Sequence, residues 1–316
     1  MNRIVLAGGS GFLGRALAAH FRARDHEVVV LTRTPKPRAD GVREVAWDAR
    51  TVGDWARELD GAAAVINLAG RSINCRYTPE NQREILGSRV DATRAVGEAI
   101  ARAAQPPPVW LNASAAALYK HSDAPMDESG ESAATPEIGD AFSIEVVRAW
   151  EAAQQQAPTP ATRKVALRIT LVFGAEGGAY PVFRRLARLG LGGRAGSGRQ
   201  WVSWIHIADF VRAVEWLIQR ADLSGPVNIT SPNPVTNAEM MRLFRELCGV
   251  PFGPPAAEWM VRLGARIMGT EPELILKSRR ILPSKLLASG FCFEFPELRT
   301  ALEDLANIAR LSAGRR

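Results

Sequence analysis

The chain has 316 residues, 47% hydrophobic and 23% charged, with 40 Lys and Arg against 33 Asp and Glu for a net charge of +7. That length and composition suit one large or two modest globular domains. No apolar run reaches the ~18 residues that suggest a membrane span, Met1–Arg3 leads into a strand pattern without a secretory leader, and the basic residues are scattered instead of interleaved with aromatics; the expectation is a cytoplasmic protein that engages neither membrane nor nucleic acid.

Short apolar runs alternate with helical patterns through the first half: Ile4–Ala7, a helix from about Phe12, Val28–Thr32, Ala63–Gly70, a helix from roughly Glu80 to Arg102, and Val109–Ser114. Such alternation predicts an α/β fold, a doubly wound parallel sheet of the Rossmann type. Leu13, Leu17 and Phe21 recur every four residues and would pack the first helix on the sheet, as would Ile85, Val90, Ala95, Val96 and Ile100 on the longer one.

The segment Gly8, Gly9, Ser10, Gly11, Phe12, Leu13, Gly14 lies between the first strand and its helix. In that context the first glycine permits a tight turn, the second lets backbone approach a pyrophosphate, and the third lets helix and strand close together. Free N–H groups of the helix's first turn would then bind the anion. The second strand ends in Thr32 and Arg33, where an acid would accept from the ribose 2′-hydroxyl of NAD; a guanidinium instead suits a 2′-phosphate. Arg33, with Lys36 and Arg38 nearby, therefore favours NADP(H), the alternative being a solvated loop residue.

Further on, Lys164–Gly174 reads as one strand and Val227–Thr230 as another, Thr236 and Glu239 have capping-box spacing before a helix near Met240, and Gly249–Pro255 separates a terminal segment. Residues 1–174, with return segments near 200–230, are expected to form the cofactor domain. Residues 175–316 would form a smaller, partly interleaved substrate or lid region. Cys75, Cys248 and Cys292 lack disulfide or metal-site spacing and are expected to be buried thiols.

The motifs GGSGFLG, VINLAG, ILGSRVDATRAV, LRITLVFG, LGLGGRAGSGRQWVSWIHIADF and ILPSKLLASGFCFEFPEL resemble, in this order and over nearly the whole chain, an atypical branch of the short-chain dehydrogenase/reductase superfamily. That branch comprises sugar-nucleotide-epimerase-like proteins with a small C-terminal domain, about 250–312 in this chain. The resemblance implies that Asp48 meets the adenine, that Leu68, Ala69 and Gly70 line the cofactor, and that Glu84 and Arg89 make further NADP contacts. It also implies a homodimer, and it places Ser114 where the superfamily has its catalytic serine or threonine. The superfamily's Tyr-x-x-x-Lys pair falls on Phe142 and Val146, and phenylalanine has no proton to give. Tyr119, Tyr77 and His206 are the remaining candidates for a proton donor, and Tyr119 heads them.

The stretch 190–210 is rich in glycine and indole. It predicts a loop able to close, with Arg199, Gln200, Trp201, Trp204 and His206 on a small, anionic substrate between it and Ser114. Packed tryptophans under a loop are the alternative. Asp209 suits a helix N-cap, and a structural latch is the favoured role for His206 with Asp209. Two functions stay open, an NADP(H)-dependent oxidoreductase or epimerase-like enzyme and a non-catalytic NADP(H) redox sensor or scaffold.

Overall fold

The computed structural model describes residues 2–313. The first half builds β1 (Arg3–Ala7), α1 (Phe12–Arg22), β2 (Glu27–Thr32), β3 (Arg43–Ala46), β4 (Ala64–Asn67), α2 (Pro79–Arg102), β5 (Val109–Ala115), β6 (Ser122–Met126) and α3 (Ala141–Gln155). There follow β7 (Arg163–Ile169), β8 (Leu171–Gly174), β9 (Gly177–Gly178), α4 (Tyr180–Arg188), β10 (Trp201–Val202), β11 (Trp204–His206), α5 (Ile207–Gln219) and β12 (Gly225–Ile229). The chain ends in β13 (Val235–Thr236), α6 (Asn237–Cys248), α7 (Glu258–Met268), α8 (Glu273–Leu276), β14 (Arg279–Ile281), α9 (Ser284–Ala288) and α10 (Leu298–Ala313).

Seven parallel strands form the central sheet in the order β12-β7-β5-β4-β1-β2-β3. Both faces are covered because successive side chains alternate across a strand. Ile4 and Leu6 of β1 join Leu17 and Phe21 of α1 and Phe210 and Val214 of α5 in one core. Val5 and Ala7 face the other way, into a second core with Ala95, Val96 and Ile100 of α2. This is the doubly wound arrangement that the alternation predicts.

Local signals explain the helix ends. Thr78 caps α2 by accepting from Asn81 N, with Pro79 in the first turn, and Thr236 caps α6 by accepting from Glu239 N, so α6 begins three residues before Met240. The other half of a capping box is absent, since the Glu239 carboxylate pairs with Arg242 instead.

Three expectations are corrected. Lys164–Gly174 is two strands, because Thr170 N turns to Ile229 O and the chain leaves the central sheet for β11, the partner of β8. No cysteine is buried: Cys75 and Cys248 are half-exposed and Cys292 is exposed. The cap of α5 is His206, whose Nδ1 accepts from Ala208 N, whereas Asp209 lies within the first turn and accepts from Glu294 N and Phe295 N, both at 2.8 Å. His206 and Asp209 together hold the segment leading into α10. No helix among the described residues is long and apolar enough to cross a membrane.

Candidate functional site

A cleft of about 800 Å³ opens at the C-terminal ends of β1, β2 and β4, lined by Gly8, Ser10, Gly11, Thr32 and Arg33 on one side and by Leu68, Ala69 and Gly70 on the other. Gly8 takes φ +71°, a conformation that favours glycine, and a Cβ there would lie 2.8 Å from Ala69 backbone. A Cβ on Gly14 would lie 2.2 Å from Gly9 O, so only glycine lets α1 start this close to its own turn. Gly9 and Gly14 thus shape the turn from beneath. Phe12 packs on the Gly174–Gly178 backbone and Leu13 on the core, so neither lines the cleft.

The floor is held by a buried polar network. Asn67 at the end of β4 donates to Asn112 Oδ1 at 2.7 Å and to Thr93 Oγ1 at 3.2 Å, while its own Oδ1 accepts from Ala69 N. Trp150 Nε1 donates to the same Thr93 hydroxyl, tying α3 to α2. Every member has a partner, so the network fixes where Ala69 and Gly70 lie.

Charges at the rim differ in how free they are. Arg38 is matched by Asp40 and Glu44, but Arg33 is exposed and has no carboxylate partner among the described residues. Asp48 accepts from Arg50 N, Thr51 N and Thr51 Oγ1, bonds that hold its carboxyl down at about 2. Glu84 lies at the cleft in an ion pair with Arg71, which also donates to Asn81 Oδ1 at 2.8 Å. Arg89 packs beside Gly70 and 5.0 Å over the Trp150 ring, and burial lowers its pKa to about 10. Trp47, Ala49, Arg50, Arg71, Ser72 and Ser88 also line the cleft. The readable signal for them was position, because Trp47, Ala49 and Arg50 flank Asp48 and Arg71 and Ser72 follow Gly70.

Ser114 and Tyr119 are engaged elsewhere. Ser114 Oγ donates to Glu151 Oε1 at 2.6 Å, and Glu151 is held through both oxygens by Arg168. Arg168 donates to Tyr119 Oη at 2.9 Å, and that hydroxyl donates to Asn228 Oδ1. Burial works against the Arg168 charge, but the bonds and attraction from Glu151 and Tyr119 outweigh it and raise its pKa. Tyr119 is wholly buried, and burial raises its phenol pKa. Its expected role as a proton donor is therefore corrected to that of a core tyrosine. Val146 is buried, and Phe142 packs edge-on against Tyr77 with ring centroids 4.9 Å apart.

The 190–210 stretch is pinned by the chain itself. Gln200 donates to Ala195 O and Ile275 O, Trp201 N to Ser278 Oγ, and Ser203 Oγ to Arg279 O. On its other side the same 275–281 segment pairs β14 with β6, and Lys277 Nζ donates to Ala117 O. Residues 275–281 thus lie between the 190–210 stretch and the segment of β6 and Ala117, with hydrogen-bond partners on both sides, so the stretch is not a free closing loop. Trp204 is buried against Phe173 and donates to Asn233 O. His206 is also buried, and burial lowers its pKa to about 4. Both are corrected from substrate contacts to core residues. Trp201 faces Arg280 at 4.3 Å, while Arg199 and Gln200 line a second cleft of about 340 Å³ with His121, Asp123, Glu137 and Ser278. Among the described residues no group of His, Cys, Asp and Glu is placed to hold a metal ion.

Residues 4–230 match the NAD dependent epimerase/dehydratase family, and residues 256–305 match a domain of unknown function, DUF1731. The chain is 32% identical over 307 residues to epimerase family protein MW0731 of Staphylococcus aureus, covering 96% of this chain and 99% of that one. It is 33% identical to the crystal structure of human epimerase family protein SDR39U1 (isoform 2) with NADPH, with a TM-score of 0.85 over 96% of this chain and 99% of that one. A nucleoside-diphosphate sugar epimerase from Corynebacterium glutamicum superposes with a TM-score of 0.74 at 27% identity, over 99% of this chain and 66% of the other. By sequence and by fold, the chain belongs to the NAD dependent epimerase/dehydratase family.

Proposed function

We propose that the chain binds NADP(H) in the 800 Å³ cleft and acts as an oxidoreductase or epimerase-like enzyme on a small anionic carbonyl compound. The observation that carries this reading is Arg33, an exposed guanidinium at the rim without a carboxylate partner among the described residues. It can grip a 2′-phosphate bidentately, whereas Asp48 already spends its oxygens on Arg50 and Thr51. The glycine turn and the half-buried cation of Arg89 beside Gly70 also fit an anionic dinucleotide. The human relative crystallised with NADPH supports the same cofactor, and the Corynebacterium neighbour a nucleotide-linked substrate.

The bound dinucleotide would supply a hydride. Within this reading, Gly8, Ser10 and Gly11 receive the pyrophosphate, Ala69 and Gly70 support the dinucleotide on the floor set by Asn67, and the exposed Arg199 offers a cation to an anionic substrate, while Gln200, its amide held by Ala195 O and Ile275 O, keeps the stretch in place. Residues 1–174, with return segments near 200–230, are the cofactor domain, and 175–316 the substrate region.

Phe142 and Val146 favour a second reading, a redox sensor that binds NADP(H) without turning it over. Fluorescence titration with NADPH and NADH, followed by a panel of carbonyl compounds that includes nucleotide-linked keto sugars, separates the possibilities. Tighter binding of NADPH, with fluorescence lost on addition of a carbonyl, is expected. Equal affinities would overturn the cofactor assignment, and tight binding without oxidation across the panel would favour the sensor.

A further inference from the structure

Beside Phe142 lies a cluster of protonatable groups drawn from three parts of the chain. Tyr77 comes from the loop that leaves the cleft at Gly70, Arg71 and Ser72, and its ring packs on Phe142. Its hydroxyl is 3.4 Å from Ser143 Oγ, the next residue of α3, and Ser143 in turn hydrogen-bonds the Glu273 carboxyl of α8. The same α8 region holds the loop from its other end, since Glu271 Oε1 accepts from Tyr77 N at 2.8 Å. Glu273 is 5% exposed and Tyr77 only half-buried, so the hydroxyls link an interior carboxyl to a residue of the loop that borders the cleft.

We infer that Tyr77, Ser143 and Glu273 form a relocated proton relay, in which a phenol carried by the β4–α2 loop takes the place left empty by Phe142. This rests on the reading that the cleft holds NADP(H). When a carbonyl is reduced, its carbon gains the hydride and its oxygen gains the Tyr77 proton; Tyr77 is reprotonated from Ser143 and Ser143 from Glu273, which ends as a carboxylate. The dinucleotide is oxidised, and one C–H and one O–H bond replace the carbonyl π bond.

The surrounding charges suit those states. Burial raises the Glu273 carboxyl, so it retains a proton more readily than an exposed acid, and Arg279 and Lys277 stand by to stabilise its anion. Lys277 is itself paired with Asp140. Burial pushes the Tyr77 phenol up to about 12, with Glu273 and Glu271 adding to the rise, and the Arg89 cation lies on the α2 side. Such a phenol is a weak acid in the resting state, and it still lies well below an alkoxide in proton affinity. Two of the three tyrosines, Tyr119 and Tyr180, are wholly buried, which leaves Tyr77 as the one with part of its surface open.

The test uses the full chain labelled with ¹³Cζ-tyrosine and loaded with NADP⁺ or with NADPH, followed by NMR against pH. The oxidised nicotinamide carries a positive charge, and a cation close by lowers a phenol pKa by roughly one unit or more. The resonance missing from Tyr77→Phe should titrate at lower pH with NADP⁺ than with NADPH, while the other two stay fixed. Glu273→Gln should lower the Tyr77 midpoint in both redox states by removing a negative neighbour. Equal Tyr77 midpoints with the two dinucleotides would overturn the relay alone. Failure of both to bind, read by fluorescence, would overturn the cofactor reading and the relay with it.

Discussion

Lys277 Nζ lies 2.6 Å from Asp140 Oδ2, with both side chains almost wholly enclosed. This pair joins the segment between α8 and β14 to the start of α3. Burial lowers the Lys277 pKa, and the Asp140 partner works against that fall. Removing one member strands the other charge, so Asp140→Asn or Lys277→Met alone should cost about 3–5 kcal/mol of stability. The double variant should recover most of it, as urea unfolding of all four proteins would reveal; additive losses would mean that the two residues act independently.

Gly14→Ala places a methyl group against Gly9 O, where the gap is 2.2 Å. The helix cannot retreat without leaving the core that Leu17 and Phe21 fill. A loss of about 3 kcal/mol is expected, read as a lowered Tm, and NADPH affinity should fall with it because the turn is displaced. An unchanged Tm would mean that the turn relaxes freely.

Arg33→Ala should weaken NADPH binding by about 10- to 100-fold, the worth of charge-assisted hydrogen bonds to a phosphate. NADH binding should hardly change, since NADH has no 2′-phosphate. Isothermal titration with both dinucleotides checks this, and parallel losses would remove Arg33 from recognition of that group.

Burial holds His206 neutral, with its pKa at about 4 against an ordinary 6.5. A group whose folded pKa is depressed contributes stability that is present above the unfolded value and is lost as pH falls towards the folded one. The protein should therefore lose about 3 kcal/mol through this residue between pH 6.5 and 4. Asp304, which faces His206 Nε2 at 3.3 Å, has its own carboxyl raised by burial and works in the opposite sense. Unfolding free energies measured across that range should slope less steeply in His206→Asn.

Much of the cofactor cleft was legible because its determinants are local. Gly8 and Gly11 act through their own backbone, and Arg33 lies next to the strand whose apolar run announces it. The proton chemistry was less legible. Ser114 meets Glu151, and Tyr119 meets Arg168 and Asn228, across separations of 37, 49 and 109 residues, which no spacing rule connects. Asp209, expected as the cap of α5, instead accepts from Glu294 N and Phe295 N and leaves the cap to His206.

The alternation of strand and helix, the glycine turn and the absence of the usual tyrosine and lysine at Phe142 and Val146 are all written in the chain. The first two depend on side-chain period and on steric limits within a few residues, and the third on the resemblance to the superfamily. Folding adds that residues 275–281 pin the 190–210 stretch, that Trp204 belongs to the core, and that Tyr77 and Glu273 meet through Ser143. Those outcomes depend on which backbone groups and charges find partners once distant segments pack together, and the chain order does not encode that proximity.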